Sequence, residues 1–254
     1  MRVDTSYGFS GTTRTREVTL SCAVMHTPSR RERRECVSAL FSDLGENKIR
    51  KHWHSLEVFG DFYRKGIWQN AKRCWEYGAN AGATHHLVIQ DDVRVCRDFV
   101  VGIFSVIAGF PDDIIGLYCN IPTPPADPPE DYLDLLPRWG TTLGPRGPAI
   151  IMPVDTVRRF LAWESENIKP SFKHDDLRIT LYCDSENITS KLPLPNLVDH
   201  KVEFPSVGRN EKQPKGFNFM GERSPLDFNW LDKTGLSIVG GSRLSCRRAG
   251  LINA

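Results

Sequence analysis

The run His85-His86-Leu87-Val88-Ile89-Gln90-Asp91-Asp92-Val93 constrains the fold of this chain more than any other stretch. Leu87, Val88 and Ile89 lead straight into adjacent carboxylates. That is the pattern of a buried parallel strand delivering acids to the carboxyl edge of a sheet, where open α/β folds place their ligands. Burial favours the apolar residues, whereas two ionised carboxylates at the strand tip are costly unless a cation, hydrogen-bond donors or water compensates them. A divalent metal meets that need, and a solvated turn is the plain alternative.

The 254 residues, 40% of them hydrophobic, are enough for one large α/β domain with a substantial core. Lys and Arg number 33 against 31 Asp and Glu, and the resulting net charge of +2 is too small to imply a polyanionic partner by itself. Residues 1–16 carry Arg2, Arg14 and Arg16 without an apolar core, so they read as a flexible leader, neither secretory signal nor anchor. No apolar run reaches the length a membrane helix requires, and a soluble, cytoplasmic protein is expected. The cysteines, at 22, 36, 74, 96, 119, 183 and 246, form no CxxC pair and no disulfide framework. Reduced thiols fit, and zinc held by cysteine does not.

Taken in order, Val18-Thr19-Leu20-Ser21-Cys22-Ala23-Val24-Met25 predicts a first strand that Pro28 stops, and Ser29 is placed to cap a helix over 30–44. Arg30, Arg31, Arg33 and Arg34 cluster at the start of that helix, where backbone donors suit an anion; a solvated basic face is the competing reading. A second strand over 55–61 again ends in a carboxylate, Asp61. A helix over 66–80 carries Trp68, Ala71, Trp75 and Ala79 on one stripe, and Gly82-Ala83 breaks it before the 85–93 strand. The order β-α-β-α-β favours a parallel sheet with right-handed crossovers. A helix over 98–108, a strand over 114–118, a proline- and acid-rich loop over 120–136, a strand over 149–152 and a helix over 155–163 continue it. Asp175 and Asp176 open a further helix to about Cys183, as its dipole favours. The expected domains are therefore a leader over 1–16, a single domain over 17–220 and an irregular C-terminal tail over 221–254. Walker-type glycine loops, GxSxG and HExxH are absent from the sequence, which argues against a P-loop phosphotransferase and a serine hydrolase.

Several segments carry a resemblance. They are Val24-Met25-His26-Thr27-Pro28-Ser29-Arg30, Gly66-Ile67-Trp68-Gln69-Asn70-Ala71-Lys72-Arg73-Cys74-Trp75, Thr84-His85-His86-Leu87-Val88-Ile89-Gln90-Asp91-Asp92-Val93, His174-Asp175-Asp176-Leu177 and Pro195-Asn196-Leu197-Val198-Asp199-His200. In this order and spacing, over 18–219, the chain resembles the GT-A fold of nucleotide-sugar-dependent glycosyltransferases, in a small bacterial or phage-type form. The resemblance implies a Rossmann-like, mostly parallel sheet flanked by helices. It implies transfer of a sugar from a nucleotide donor, read as a UDP-sugar, to an acceptor hydroxyl, in the host cytoplasm if the protein is phage-encoded.

The same resemblance assigns roles. The DxD-like triplet falls on Gln90, Asp91 and Asp92, with Asp92 as metal ligand and His200 as the late histidine completing the site; Gln90 departs from the pattern, since an amide hydrogen-bonds a ribose but ligates metal poorly. An imidazole ligand favours Mn²⁺ over Mg²⁺, the alternative. Thr27, Arg30 and Asp61 match positions that hold base, ribose and phosphates, and Lys72 reaches towards the donor. Asp176 is the expected general base of an inverting transfer and Asp175 its acceptor-positioning partner. Trp139-Gly140-Thr141-Thr142 falls on the acceptor side, with Trp139 either stacking on the ligand or buried in the core. The acceptor stays open among a saccharide, a protein and a hydroxymethylated pyrimidine in DNA. For DNA, the arginines of 30–34 with Lys48, Arg50, Lys51, Arg243, Arg247 and Arg248 would offer a phosphate-binding surface. A noncatalytic nucleotide- or DNA-binding module and a nucleotidyltransferase are the competing functions.

Overall fold

The computed structural model describes residues 17–44, 53–119, 134, 138–201, 218–233 and 237–238. The expected leader over 1–16, most of the proline-rich loop, and the basic residues Lys48, Arg50, Lys51, Arg243, Arg247 and Arg248 lie outside them.

The first strand, β1 (Leu20–His26), is apolar on both faces and buried almost throughout. A strand of that composition belongs in a sheet interior covered on both sides. It runs between β2 (Trp53–Gly60) and β3 (His85–Gln90), parallel to each, with Cys22 beside Leu87 and Val24 beside Ile89. The crossovers are α1 (Arg31–Asp43), leading to β2, and α2 (Ile67–Asn80), leading to β3. Next come β4 (Val93–Val95), α3 (Phe99–Gly109), β5 (Ile115–Gly116), β6 (Trp139–Thr142), β7 (Ala149–Pro153), α4 (Val154–Asn167), α5 (Asp175–Ser185), β8 (Ser190–Pro193), β9 (Val198–His200) and β10 (Ser237–Ile238).

Among the described residues the main sheet has eight strands in the order β10-β6-β8-β5-β7-β3-β1-β2. Pairs β1/β2, β1/β3, β5/β8 and β6/β10 are parallel, and β3/β7, β5/β7 and β6/β8 are antiparallel. This is the expected α/β architecture, a mostly parallel sheet flanked by helices. Strands β4 and β9 pair separately as an antiparallel ribbon.

The period-two alternation of the strands sorts the core into two layers. Leu20, Cys22, Val24, Leu87, Ile89, Ala149 and Ile151 face one side and pack with Leu40 of α1 and Phe99, Ile103 and Ile107 of α3. Ala23, Val88, Ile150 and Met152 face the other and pack with Trp68, Cys74 and Trp75 of α2, Phe160 of α4 and Tyr182 of α5. The first layer is closed by Met220, Phe228 and Trp230 from the segment after 218. Trp139 belongs to this layer too, fully buried against Phe110 and Trp230 and donating Nε1–H to the Trp230 carbonyl at 3.0 Å. Of its two sequence readings, the core one holds.

Ser29 does not cap α1; the N-cap is Arg30, in extended backbone and without a side-chain cap bond. The described cysteines are all free and buried. No helix among the described residues is long and apolar enough to cross a membrane.

Candidate active site

The carboxyl ends of β1, β2 and β3 open on one edge, where β1 feeds α1 on one face and β2 feeds α2 on the other. Such a divergence leaves a crevice that ligands use in open α/β sheets. His26 and Thr27 arrive there from β1, Asp61 from β2, and Gln90, Asp91 and Asp92 from β3. Asn70 of α2 ties the edge together, its Nδ2 donating to the carbonyls of His26 at 3.2 Å and Phe59 at 2.8 Å.

Asp91 and Asp92 are each 1% exposed, so their charges must be met inside the protein. Asp91 Oδ2 accepts from Thr27 N–H at 2.9 Å and lies 2.6 Å from His26 Nδ1. Its Oδ1 accepts from Arg33 Nη1 at 2.7 Å. The same Nη1 lies 2.7 Å from Asp92 Oδ2, so one guanidinium nitrogen bridges both carboxylates. Burial works against the charge on Arg33, but the facing Asp92 and Asp91 outweigh it and its pKa is raised. The cation that the Asp91-Asp92 pair demands is thus present in the chain itself.

His200 reaches this group through the ribbon, in which it pairs with Val93 across β4 and β9 while Lys201 N–H donates to the Asp92 carbonyl at 2.8 Å. Its Nδ1 is 3.9 Å from Asp92 Oδ2 and has no hydrogen-bond partner among the described residues. Burial lowers its pKa, which keeps the imidazole neutral at pH 7. Tyr118 packs edge-on against it, ring centroids 5.0 Å apart. Asp92 Oδ2 and His200 Nδ1 are the atoms the sequence offers to a divalent ion, and Arg33 Nη1 already lies 2.7 Å from the first of them. Among the described residues no three His, Cys, Asp or Glu side chains form a group able to hold a metal. An ion here would need further ligands from water or a bound phosphate.

Asp175 and Asp176 begin α5. A Cβ built on Gly147 would lie 3.5 Å from Asp176 Cβ and 3.3 Å from Gln90 Nε2, so Asp176 and the tip of β3 face each other across this glycine. Asp176 Oδ1 accepts from Leu177 N–H at 2.8 Å. Asp175 is half-buried on the side of α2, close enough to add to the raised pKa of the Cys74 thiol. Burial, reinforced by the negative charge of Asp176, lifts the Asp175 carboxyl to about 7.

The other expected site residues are placed unequally. Thr27 contributes its backbone to Asp91, and Arg30 stands half-buried at the start of α1. Asp61 Oδ1 and Oδ2 accept from the backbone N–H groups of Lys65 and Gly66 at 2.8 and 3.1 Å, ordering the entry to α2, where Gly66 adopts φ +110°. Lys72 is drawn away by Glu164, with Nζ 3.3 Å from Oε2. Glu164 also pairs with Arg178, a fully buried guanidinium stacked 4.4 Å over Trp68.

Sequence reasoning gave His26 and Asn70 no role in this site and placed Arg33 only in the basic cluster at the start of α1, offered to an anion or to solvent, not against Asp91 and Asp92. For Arg33 a signal existed: it lies in register with Cys36 and Leu40, the buried stripe of α1, and an arginine on an apolar stripe must point at buried acids. Its place inside the protein also removes it from any surface set of arginines.

No family model matches the chain, and no curated protein matches it. Solved structures similar to it include A197 from STIV, at 10% identity and TM-score 0.40, covering 72% of this chain and 85% of that one. A variant of the Drosophila β1,4-galactosyltransferase 7, in complex with manganese, UDP-Gal and xylobiose, is similar at 9% identity and TM-score 0.40, covering 69% and 65%. The mannose-1-phosphate geranyltransferase from Thermus thermophilus is similar at 11% identity and TM-score 0.38, covering 72% and 75%.

Proposed function

We propose that this protein is a nucleotide-sugar-dependent glycosyltransferase, moving a sugar from a UDP-type donor to an acceptor hydroxyl with a divalent ion, Mn²⁺ ahead of Mg²⁺. The observation that carries the reading is the buried group of Asp91, Asp92, Arg33 and His200 at the carboxyl edge of β3, with Asp176 facing that edge across Gly147. A donor site must compensate the charge of a diphosphate, and a transfer site must also supply a base on the acceptor side.

In this reading Asp92 and His200 are the residues that would hold the ion, which would supply positive charge beside the diphosphate. Gln90 and Asp91 lie on the ribose side, and Thr27, Arg30 and Asp61 surround the donor. Lys72, paired with Glu164, has the least support among the donor positions. Asp176 takes the acceptor proton, because an alcohol is a weak nucleophile at neutral pH, and Asp175 positions the acceptor. Attack in line with the leaving diphosphate inverts the anomeric centre. The acceptor is a saccharide, a protein or a hydroxymethylated pyrimidine in DNA; for DNA, the exposed Arg31 and Arg34 remain as surface cations at α1.

The test is a thermal-shift and donor-hydrolysis panel of nucleotides and nucleotide-sugars with Mn²⁺. UDP with Mn²⁺ raises Tm, and Asp92→Asn removes the metal-dependent part. No shift with any nucleotide-metal pair overturns the reading.

A further inference from the structure

We propose that Arg146, presented from the loop between β6 and β7, is the side chain that binds the phosphate oxygens of an anionic ligand at this site. The inference rests on the donor-site reading above and names the residue that meets its diphosphate.

The loop over 143–148 is packed tightly against its neighbours. Pro145 lies on β5, where a Cβ built on Gly116 would be 3.0 Å from Pro145 Cβ. A Cβ on Gly144 would fall on Thr180 of α5, and the Pro148 carbonyl accepts from Gln90 N–H at 2.8 Å. Gly147, next to Arg146, stands between Gln90 Nε2 and Asp176. A side chain at 146 therefore starts where the tip of β3 meets the expected base, and it starts from backbone that close packing holds in place. Arg146 is exposed, and its guanidinium has no hydrogen bond or ion pair among the described residues. Its charge reaches the Tyr118 hydroxyl, where it opposes the burial and the Asp199 charge that push that group's pKa up. Tyr118 packs on His200, so the guanidinium is turned towards the site.

Other cations around this edge are already engaged. Arg33 shares one charge between two buried carboxylates, Lys72 is paired with Glu164, and Arg94 with Asp199. Phosphate oxygens brought up beside Asp91 and Asp92 meet negative charge, and they need a cation that no carboxylate holds. The planar donor fork of an uncommitted arginine suits them well.

The experiment measures binding of UDP, uridine and inorganic pyrophosphate by calorimetry, with EDTA and again with Mn²⁺. It compares the wild-type chain with Arg146→Gln, Arg146→Lys and, as a charge-matched control on the exposed face of α4, Arg158→Gln. Arg146→Gln should weaken UDP and pyrophosphate by roughly tenfold or more, the ordinary worth of a charge-assisted hydrogen bond, and leave uridine unchanged. Arg146→Lys should recover part of the loss, because it keeps the charge but not the fork. Arg158→Gln should bind all three as the wild type does. Without ligand, Arg146→Gln should melt together with the wild type, since the side chain it replaces holds no partner among the described residues.

UDP and pyrophosphate affinities that Arg146→Gln leaves unchanged overturn the inference and spare the donor-site reading. Equal losses for UDP and uridine overturn it too, because the effect is then one of loop shape. So does an equal loss in Arg158→Gln, which makes net charge the cause. Pyrophosphate binding that depends on Arg146, with no binding of UDP, upholds the inference and removes the nucleotide from the proposed function. A wild-type chain that binds none of the three overturns both.

Discussion

At the scale of single residues, the two aspartates of α5 illustrate how position divides one motif into two roles. Asp176 faces Gly147 and Gln90, whereas Asp175 turns towards α2 and is lifted to about 7 by burial and by Asp176. If Asp176 is the base, Asp176→Asn lowers kcat by about 10²–10⁴ with little change in nucleotide affinity, and single-turnover donor assays check it. Asp175 gives a separate prediction in pH. Its folded-state pKa lies above the unfolded value of 3.8, so the folded protein binds the extra proton between about 4 and 7 and loses that advantage as pH rises through 7. Asp175→Asn, which cannot ionise, should therefore gain stability relative to wild type at pH 8 and show little difference at pH 4, as urea midpoints at the two values would report. A difference of the opposite sign would mean that Asp175 is ionised and satisfied in the fold.

At the scale of elements, the sequence states its strongly patterned units well and its short ones poorly. The helices α1, α2, α3 and α4 follow from apolar residues recurring every three or four positions, and β1 and β3 from unbroken apolar runs. Strand direction is another matter. In β7, Ala149 and Ile151 face one layer, Ile150 and Met152 the other, and this alternation is identical read parallel or antiparallel. Only its pairing with β3, from His85 beside Pro153 to Ile89 beside Ala149, fixes the sense. Strands β6, β8 and β9 have three or four residues each, too few for a period to show. The carboxylates and His200 were legible as chemistry, but their joining through the β4/β9 ribbon was not, because it depends on residues 103 to 107 positions apart in sequence, such as Arg94 and Asp199. Close packing of elements yields a further prediction. A Cβ on Gly78 of α2 would fall 2.2 Å from the His86 ring of β3, so Gly78→Ala must push helix and sheet apart despite its better helix propensity. We expect destabilisation of about 1–3 kcal/mol, readable from denaturant unfolding, and a neutral result would mean that the two elements are loosely joined.

At the scale of the whole molecule, two buried polar groups fasten the helices to the sheet and to each other, and they respond differently to perturbation. Arg178 and Glu164 join α5 to α4, with Arg178 also donating to the carbonyls of Phe172 and Lys169. Glu164→Gln leaves a buried guanidinium uncompensated and should cost about 3–5 kcal/mol at any pH in the neutral range. His86 joins β1, β3 and α2: its Nε2 donates to the Cys74 carbonyl at 3.0 Å, and its Nδ1 lies 2.8 Å from Ser21 Oγ. With no exposure to water, its pKa is lowered to about 4 by burial, which only partly yields to those two hydrogen bonds. The unfolded chain takes up a proton here below about 6.5 and the folded protein does not until about 4, so stability falls as pH drops through that window. The loss attributable to His86 is roughly 2–4 kcal/mol by pH 4. Asp175 works in the other direction over part of the same range, since its raised pKa favours the folded form as pH falls from about 7, and the total acid response of the wild type mixes the two. The difference between wild type and His86→Phe isolates the histidine: stability of the variant should decline less between pH 6.5 and 4 than that of the wild type. Parallel slopes would show that water or a shifted helix lets His86 protonate within the fold.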